Sequence, residues 1–400
     1  MKCLKILLLA CIIAFYLTGC KKEVKLTDDT WYIVDDYGIL MLTKATNEET
    51  NKDLMIQLKG NGDTLRKAID TLEKTNQDAK VNNNIGVGYL RLRNFKKAYE
   101  CFNEALSLAQ SDEDKACILS NLSEVMRYRE DLNSAEKYMK EALEIKTNDS
   151  LKQLVMESNF ESIKLSNETE YQKKIKEIKN LIKREKKLLG SNQFITIFNY
   201  RSLANACYLA GNIRRFEFYM NKALELNKNS YQYVTIDTGL YHSLSWIIMD
   251  YDIEKALKYA NKNITLLEEW QVRDHYDLLN AYELRGSIYA AMNPPNRDLA
   301  IKDFQHVLNQ CPPYYSLAAV SYYNIAKTCV YSENKSFVID LYAKAYYLWQ
   351  LEGGNEMNKD IERELREAYE LQNEGNESYD IWFNKQIQKA KLDLKKQWDK

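Results

Sequence analysis

The sequence predicts an all-α chain built from stacked helix pairs. Three observations predict it. Thirteen glycines and four prolines in 400 residues are far fewer than sheets and long loops use for their turns. Leu, Ala, Lys, Glu and Asn are abundant instead, which points to helices joined by short turns. Stretches of the chain also repeat one another at spacings of about 40 residues, the mark of units that each bury one face against the next. The 56 basic residues are balanced by 57 acidic ones, so no global charge draws the chain to nucleic acid.

The first element is a leader. Lys2 and Lys5 precede an apolar run from Ile6 to Leu17. Such a run suits a signal-peptide core and falls short of the roughly 20 residues a spanning helix needs. Leu17-Thr18-Gly19-Cys20 resembles the lipobox of bacterial lipoproteins. That resemblance implies a signal peptide over 1–19, lipid (diacylglyceryl or palmitate) on Cys20, and a linker over 20–30. A second acyl chain turns marginal membrane binding into stable anchoring. Lys21 follows the cysteine where an Asp would retain enteric-type lipoproteins at the inner membrane, which leans toward the outer membrane. The expected location is the bacterial cell envelope.

Residues 31–78 are expected to hold an imperfect first helix pair. "DTLRKAIDTLEKT", from Asp63, reads as its second helix, and Thr30 to Thr43 as either a helix or a short hairpin.

The repeats follow over 79–349. "NIGVGYLRLRNFKKAYECFNEAL", from Asn84, and "ELRGSIYAAMNPPNRDLAIKDFQHVL", from Glu283, share Gly-x-x-Tyr and then Ala-x-x-x-Phe. These are Gly86, Tyr89, Ala98 and Phe102 in one, Gly286, Tyr289, Ala300 and Phe304 in the other. Gly86 and Ala98 are expected to keep two helix axes close, with Tyr89 and Phe102 filling space toward the next pair. A late small or apolar residue recurs at Ala105, Ala142, Ala223, Asn263, Val307 and Ala345, at gaps of 37, 81, 40, 44 and 38 residues. The gap of 81 predicts one divergent pair, with helices over 151–166 and 168–189. The pattern resembles the tetratricopeptide repeat (TPR), implying a TPR-like α-solenoid of about seven helix-turn-helix units. Residues 350–400 read as C-terminal capping helices, the last with Phe383, Ile387, Ala390, Leu394 and Trp398 on one face.

No catalytic signature appears. GxxxxGK[ST], HExxH and GxSxG are absent, and His242, His275 and His306 are isolated without metal-type partners. The reading is non-catalytic, with no metal and no cofactor. Cys207 and Cys329 fall at packing positions. Cys101 and Cys117 lie on consecutive helices, where pairing in an oxidising envelope and packing as free thiols both stay open.

In the TPR family, ligands commonly lie along the inner face of the first helices. Carried over by register, the resemblance implies inward positions at Arg91, Arg127, Tyr128, Arg201, Asn205, Tyr208, Tyr241, Tyr323, Lys327 and Tyr331, with Asn83, Ser245, Glu283 and Ser287 beside them. Arg and Tyr bury much area and offer hydrogen bonds, although tyrosines of solenoids also pack between helices. A carboxylate clamp of the chaperone-tail type is not supported. Arg201 and Asn205 match its first pair, but His242, Asn280 and Leu284 stand where its Asn, Lys and Arg belong. "YQKKIKEIKNLIKREKKLL", Tyr171 to Leu189, carries eight basic residues against two acidic ones. It reads as the solvated back of a helix, with contact to anionic lipid or an acidic partner as the other reading.

TPR lipoproteins of this kind imply an envelope adaptor or scaffold, lipid-anchored, that binds a partner protein or peptide on a concave TPR surface. The alternative is a glycan-binding surface lipoprotein for nutrient uptake. Its long loop-rich insertions would need turn residues that this chain lacks.

Overall fold

A computed structural model describes residues 62–398 apart from short stretches at 130, 146, 148–149, 168–169, 191–193, 231–233, 271–274, 311–314, 330–333, 352–355 and 373–376. The expected signal peptide, Cys20, the linker, the segment Thr30 to Thr43 and Tyr331 lie outside the described residues. Among those described, every regular element is a helix.

A single helix, α1 (Gly62–Glu73), comes first and buries Leu65, Ala68, Ile69 and Leu72. Seven antiparallel pairs follow. They are α2 (Ala79–Arg91) with α3 (Phe95–Leu108), α4 (Asp112–Tyr128) with α5 (Leu132–Glu144), and α6 (Ser150–Asn167) with α7 (Tyr171–Leu189). Next are α8 (Phe194–Leu209) with α9 (Ile213–Ser230), and α10 (Val234–Ile248) with α11 (Ile253–Trp270). The last are α12 (Tyr276–Ala291) with α13 (Arg297–Gln310), and α14 (Tyr315–Thr328) with α15 (Lys335–Leu351). Two more helices, α16 (Glu356–Gln372) and α17 (Tyr379–Trp398), close the chain. The helices form two compact units, Lys67–Tyr233 with α2 to α9 and Val234–Lys400 with α10 to α17.

The recurring small residue is buried in the six pairs that carry it. Ala105, Ala142, Ala223, Val307 and Ala345 are fully buried, and Asn263 nearly so. Gly86 and Gly286 explain themselves by distance. A Cβ on Gly86 would stand 2.7 Å from Cε1 of Phe102, and one on Gly286 2.7 Å from Cε1 of Phe304. Phe102 therefore packs inside its own pair, over Gly86, and does not merely fill space toward the next pair as expected. Tyr89 reaches back instead. Its hydroxyl donates to Glu73 of α1 at 2.5 Å.

The turns carry a second regularity. Asn94, Asp131, Asn212, Asp252, Asn296 and Asn334 each cap the following second helix, accepting the backbone N–H three residues on at 3.0–3.3 Å. The backbone N–H of the same residue donates to a carbonyl at the end of the first helix in five of them: Asn94 to Tyr89, Asp131 to Met126, Asn212 to Cys207, Asp252 to Ile248 and Asn296 to Tyr289. One side chain thus starts a helix whose free N–H groups need a partner, while its own amide finishes the helix before. In the pair α12/α13 the two extra residues of "MNPPN" fall inside this joint and leave both bonds intact.

The pair α6/α7 departs from the rule. Glu170 gives α7 no side-chain cap. Helix α7 packs chiefly on α8 and less on its own partner α6. Its apolar stripe of Ile175, Ile178 and Ile182 is buried as expected, but Lys174 and Glu185 are buried with it. Lys174 is held by Glu177 at 2.7 Å and Glu161 at 3.3 Å.

At the other end, Leu279, Phe304, Leu317, Ile339, Leu348, Ile361 and Leu394 belong to one core that runs from α12 to α17. Ala390 and Leu394 of α17 are buried, with Phe383, Ile387 and Trp398 half-buried beside them, the face the spacing predicts. Cys101, Cys117, Cys207 and Cys329 are free thiols, so packing is the role Cys101 and Cys117 play.

Candidate binding faces of the first helices

The first helices of the pairs are the most deeply covered elements, and their polar residues sort into two groups. One group is buried and ties consecutive first helices together. Asn121 of α4 donates to Asn83 of α2 at 2.8 Å, and Asn199 of α8 to Ser158 of α6 at 2.9 Å. Asn324 of α14 donates to Glu283 of α12 at 2.7 Å and to Ser287 at 3.2 Å. Burial raises the Glu283 carboxyl above its usual range, with Ser287 and Asn324 opposing the shift. Asn83, Glu283 and Ser287, expected beside a ligand, thus cross-link neighbouring pairs. Ser245 is fully buried and donates to the Tyr241 carbonyl of its own helix at 2.7 Å.

The second group stays partly open. On α8, Phe198, Arg201, Asn205 and Tyr208 are half-buried at spacings of three, four and three residues, a single stripe on a helix otherwise largely covered. On α14, Ser316, Val320 and Tyr323 are half-buried and Lys327 exposed, again at helical spacing.

Aromatic rings brace these stripes. Tyr208 lies 6.1 Å from Phe216, Tyr241 6.1 Å from Tyr259 and Tyr323 5.9 Å from Tyr342, ring centre to ring centre. In each case the partner is on the second helix of the same pair. Each tyrosine therefore has one side committed to packing, and burial raises the Tyr241 hydroxyl above its ordinary pKa. Lys327 pairs with Glu364 of α16 at 3.3 Å.

The end of α4 is built differently. Arg127 donates twice to the buried Glu124, at 2.6 and 2.9 Å. Burial alone would lower its guanidinium pKa, but the charge of Glu124 and the hydrogen bonds of Glu124 and Tyr128 more than reverse this. Tyr128 stacks on Phe95 at 5.6 Å, and the guanidiniums of Arg127 and Arg93 stand 4.4 and 4.9 Å from its ring centre. Arg91 is buried, at 5% exposure. The Arg201 guanidinium stands 5.9 Å from the ring centre of Phe198. Structure thus brings Arg201, Asn205 and Tyr208 onto one stripe, Arg127 and Tyr128 into one cluster, and Tyr323 with Lys327 onto another stripe.

Two of the three isolated histidines have structural surroundings. His275 caps α12 through Nδ1, accepting from the Asp277 N–H at 3.2 Å. His306 lies against Tyr282 with ring centres 4.2 Å apart. Among the described residues, no group of His, Cys, Asp and Glu is placed to hold a metal ion. No described helix is long and apolar enough to cross a membrane.

Residues 77–148, which hold α2 to α5, match the tetratricopeptide repeat family. The chain is similar in structure to a Rap protein complexed with competence and sporulation factor, at 15% identity over 82% of this chain and 90% of that one, with a TM-score of 0.52. It is also similar to yeast Tom70, at 16% identity over 88% and 72% of the two chains, with a TM-score of 0.53. The fold is a TPR-like α-solenoid. No curated protein matches the sequence. Stacked helix pairs of this kind form extended surfaces suited to binding.

Proposed function

We propose that this protein is a non-catalytic, lipid-anchored adaptor of the bacterial envelope that holds a partner protein or peptide on the open stripes of its first helices. The observation that carries the reading is the α8 stripe. Phe198, Arg201, Asn205 and Tyr208 offer two rings, one cation and one amide along about 15 Å of helix. That combination suits a helix or extended peptide, whose apolar side chains meet the rings while Asn and Arg bond its polar groups. The similar Rap protein is complexed with a factor of its own, which supports binding as the use of such a fold.

The tether rests on Leu17-Thr18-Gly19-Cys20 and the leader before it. Its test is radiolabelled fatty acid incorporation, which Cys20→Ala should abolish.

The binding reading is tested by crosslinking in the native cell followed by mass spectrometry, with wild type and with Arg201→Ala/Asn205→Ala. Neither side chain is a core residue, so the variant should keep its helical circular dichroism and lose the crosslinked partner about tenfold or more. Retention of the partner at wild-type yield would rule out the α8 stripe.

A further inference from the structure

The chain carries its charge unevenly. Residues 171–230, from α7 to α9, hold thirteen Lys and Arg against four Asp and Glu, within a chain whose totals are 56 and 57. One of those four acids, Glu185, is buried and its carboxyl is raised to about 8, so it cancels little of this charge at neutral pH.

Lys174 is buried, Arg184 pairs with Glu157 and Arg201 belongs to the α8 stripe, but several of the others line one face. Lys176, Lys183 and Lys187 are exposed at helical spacing along about 16 Å of α7, and none forms an ion pair among the described residues. Beside them runs a belt of rings and ammonium groups. Lys186 donates to the Tyr200 hydroxyl at 3.1 Å, Tyr200 stacks on Tyr219 at 6.1 Å, and Phe218 meets Tyr219 edge-on at 5.1 Å. Lys179 stands 6.0 Å from the Tyr219 ring and Lys222 4.9 Å from that of Phe218. Phe218 itself is 52% exposed.

We propose that this face of α7 to α9 is a docking surface for an anionic phospholipid bilayer. Charge complementarity gives the sign, and the arrangement gives the class. Tyrosine rings with a polar tip suit the headgroup level, and lysine stems lie along apolar surface while their charges reach the phosphates. An open row of lysines along a helix back meets a plane more readily than a cleft. Stacked bases of a nucleic acid would need free ring faces, whereas Tyr200 and Tyr219 stack on each other with lysines against them. This surface is separate from the α8 stripe, and the proposal does not depend on what that stripe binds.

The experiment uses the full chain with vesicles of phosphatidylcholine alone and of phosphatidylcholine with about one quarter phosphatidylglycerol, read by flotation at low and high salt. Any contribution from the amino-terminal segment is common to every variant. Wild type should prefer the anionic vesicles. Lys176→Glu/Lys183→Glu/Lys187→Glu should lose that preference, binding on the order of a hundredfold more weakly, since each lysine near such a surface contributes about 1 kcal/mol. Phe218→Ser should keep the preference at low salt and bind less at high salt. Equal binding by the triple variant and wild type, or equal binding of wild type to both vesicles, would overturn the proposal. So would capture by duplex DNA or an acidic peptide with no vesicle binding. The three lysines are exposed, so circular dichroism should be unchanged. Should the triple variant misfold, the milder Lys→Gln set gives the same comparison.

Discussion

The pairs α2/α3 and α12/α13 stand some 200 residues apart and share one joint, whereas α6/α7 stands between them in sequence and lacks it. In the first two, a phenylalanine covers a glycine so closely that even a methyl group would collide with it. In α6/α7 no such contact exists, α7 leans on its neighbour α8, and a carboxyl and an ammonium group enter the buried face. The contrast shows what the small and aromatic residues are for. They let two backbones approach closely at one point of the pair. Charged groups are buried elsewhere in those pairs too, at Arg91 and Glu283, and wherever they are buried they must be satisfied by pairing or by protonation.

The comparison breaks most visibly at the phenylalanines. Phe102→Ala and Phe304→Ala should each cost about 3–5 kcal/mol, read as a lower urea midpoint. Gly86→Ala and Gly286→Ala should cost about 1–3 kcal/mol through overpacking, and Gly86→Ala combined with Phe102→Leu should recover part of the loss. A Gly86→Ala variant as stable as wild type would mean that the ring yields freely and the glycine is not needed.

Glu185 is next in size. Asn199 donates to one of its oxygens, and Thr196 and Ser158 beside it offset part of the burial cost. Desolvation raises its carboxyl from an ordinary 4.5 to about 8, against the opposing charge of Arg184. Between those values the folded protein keeps a proton that the unfolded chain has released. Stability from this group is therefore complete below about pH 4.5 and lost as pH rises to about 8, at about 1.4 kcal/mol per pH unit. Glu185→Gln should flatten that slope and slow hydrogen exchange of α7 and α8 amides at pH 7, by an amount equivalent to roughly 3 kcal/mol. An unchanged pH profile would show that Glu185 ionises in place.

The smallest effects lie at the caps. Asn94→Ala or Asn212→Ala should cost about 1 kcal/mol. Glu170→Asn should supply the cap that α7 lacks and stabilise it by up to about the same amount, seen as slower exchange in its first turn.

Much of this fold was legible in the sequence. The late small residue counted the pairs, and its gap of 81 located α6 and α7. The caps repeat that arithmetic, since Asn94, Asp131, Asn212, Asp252, Asn296 and Asn334 are also separated by 37, 81, 40, 44 and 38 residues. That second register was open to reading, because each stands just before a second helix. What no pattern disclosed is which polar residues turn inward. Lys174 and Glu185 sit in a lysine-rich run that looks solvated throughout, and their burial depends on how α6 and α8 approach α7. The stripe of Arg201, Asn205 and Tyr208 followed from register, but Asn83 and Glu283 shared that register and became cross-links. The difference is a polar partner on the next first helix, Asn121 for Asn83 and Asn324 for Glu283.

The joint between α12 and α13 has a practical consequence. Nature has already spliced extra residues between Tyr289 and Asn296 without disturbing the bond that ends one helix or the one that begins the next. Foreign sequence, such as an epitope tag or a fluorescent reporter, is best grafted upstream of an Asn or Asp cap, where the scaffold already accommodates lengthening.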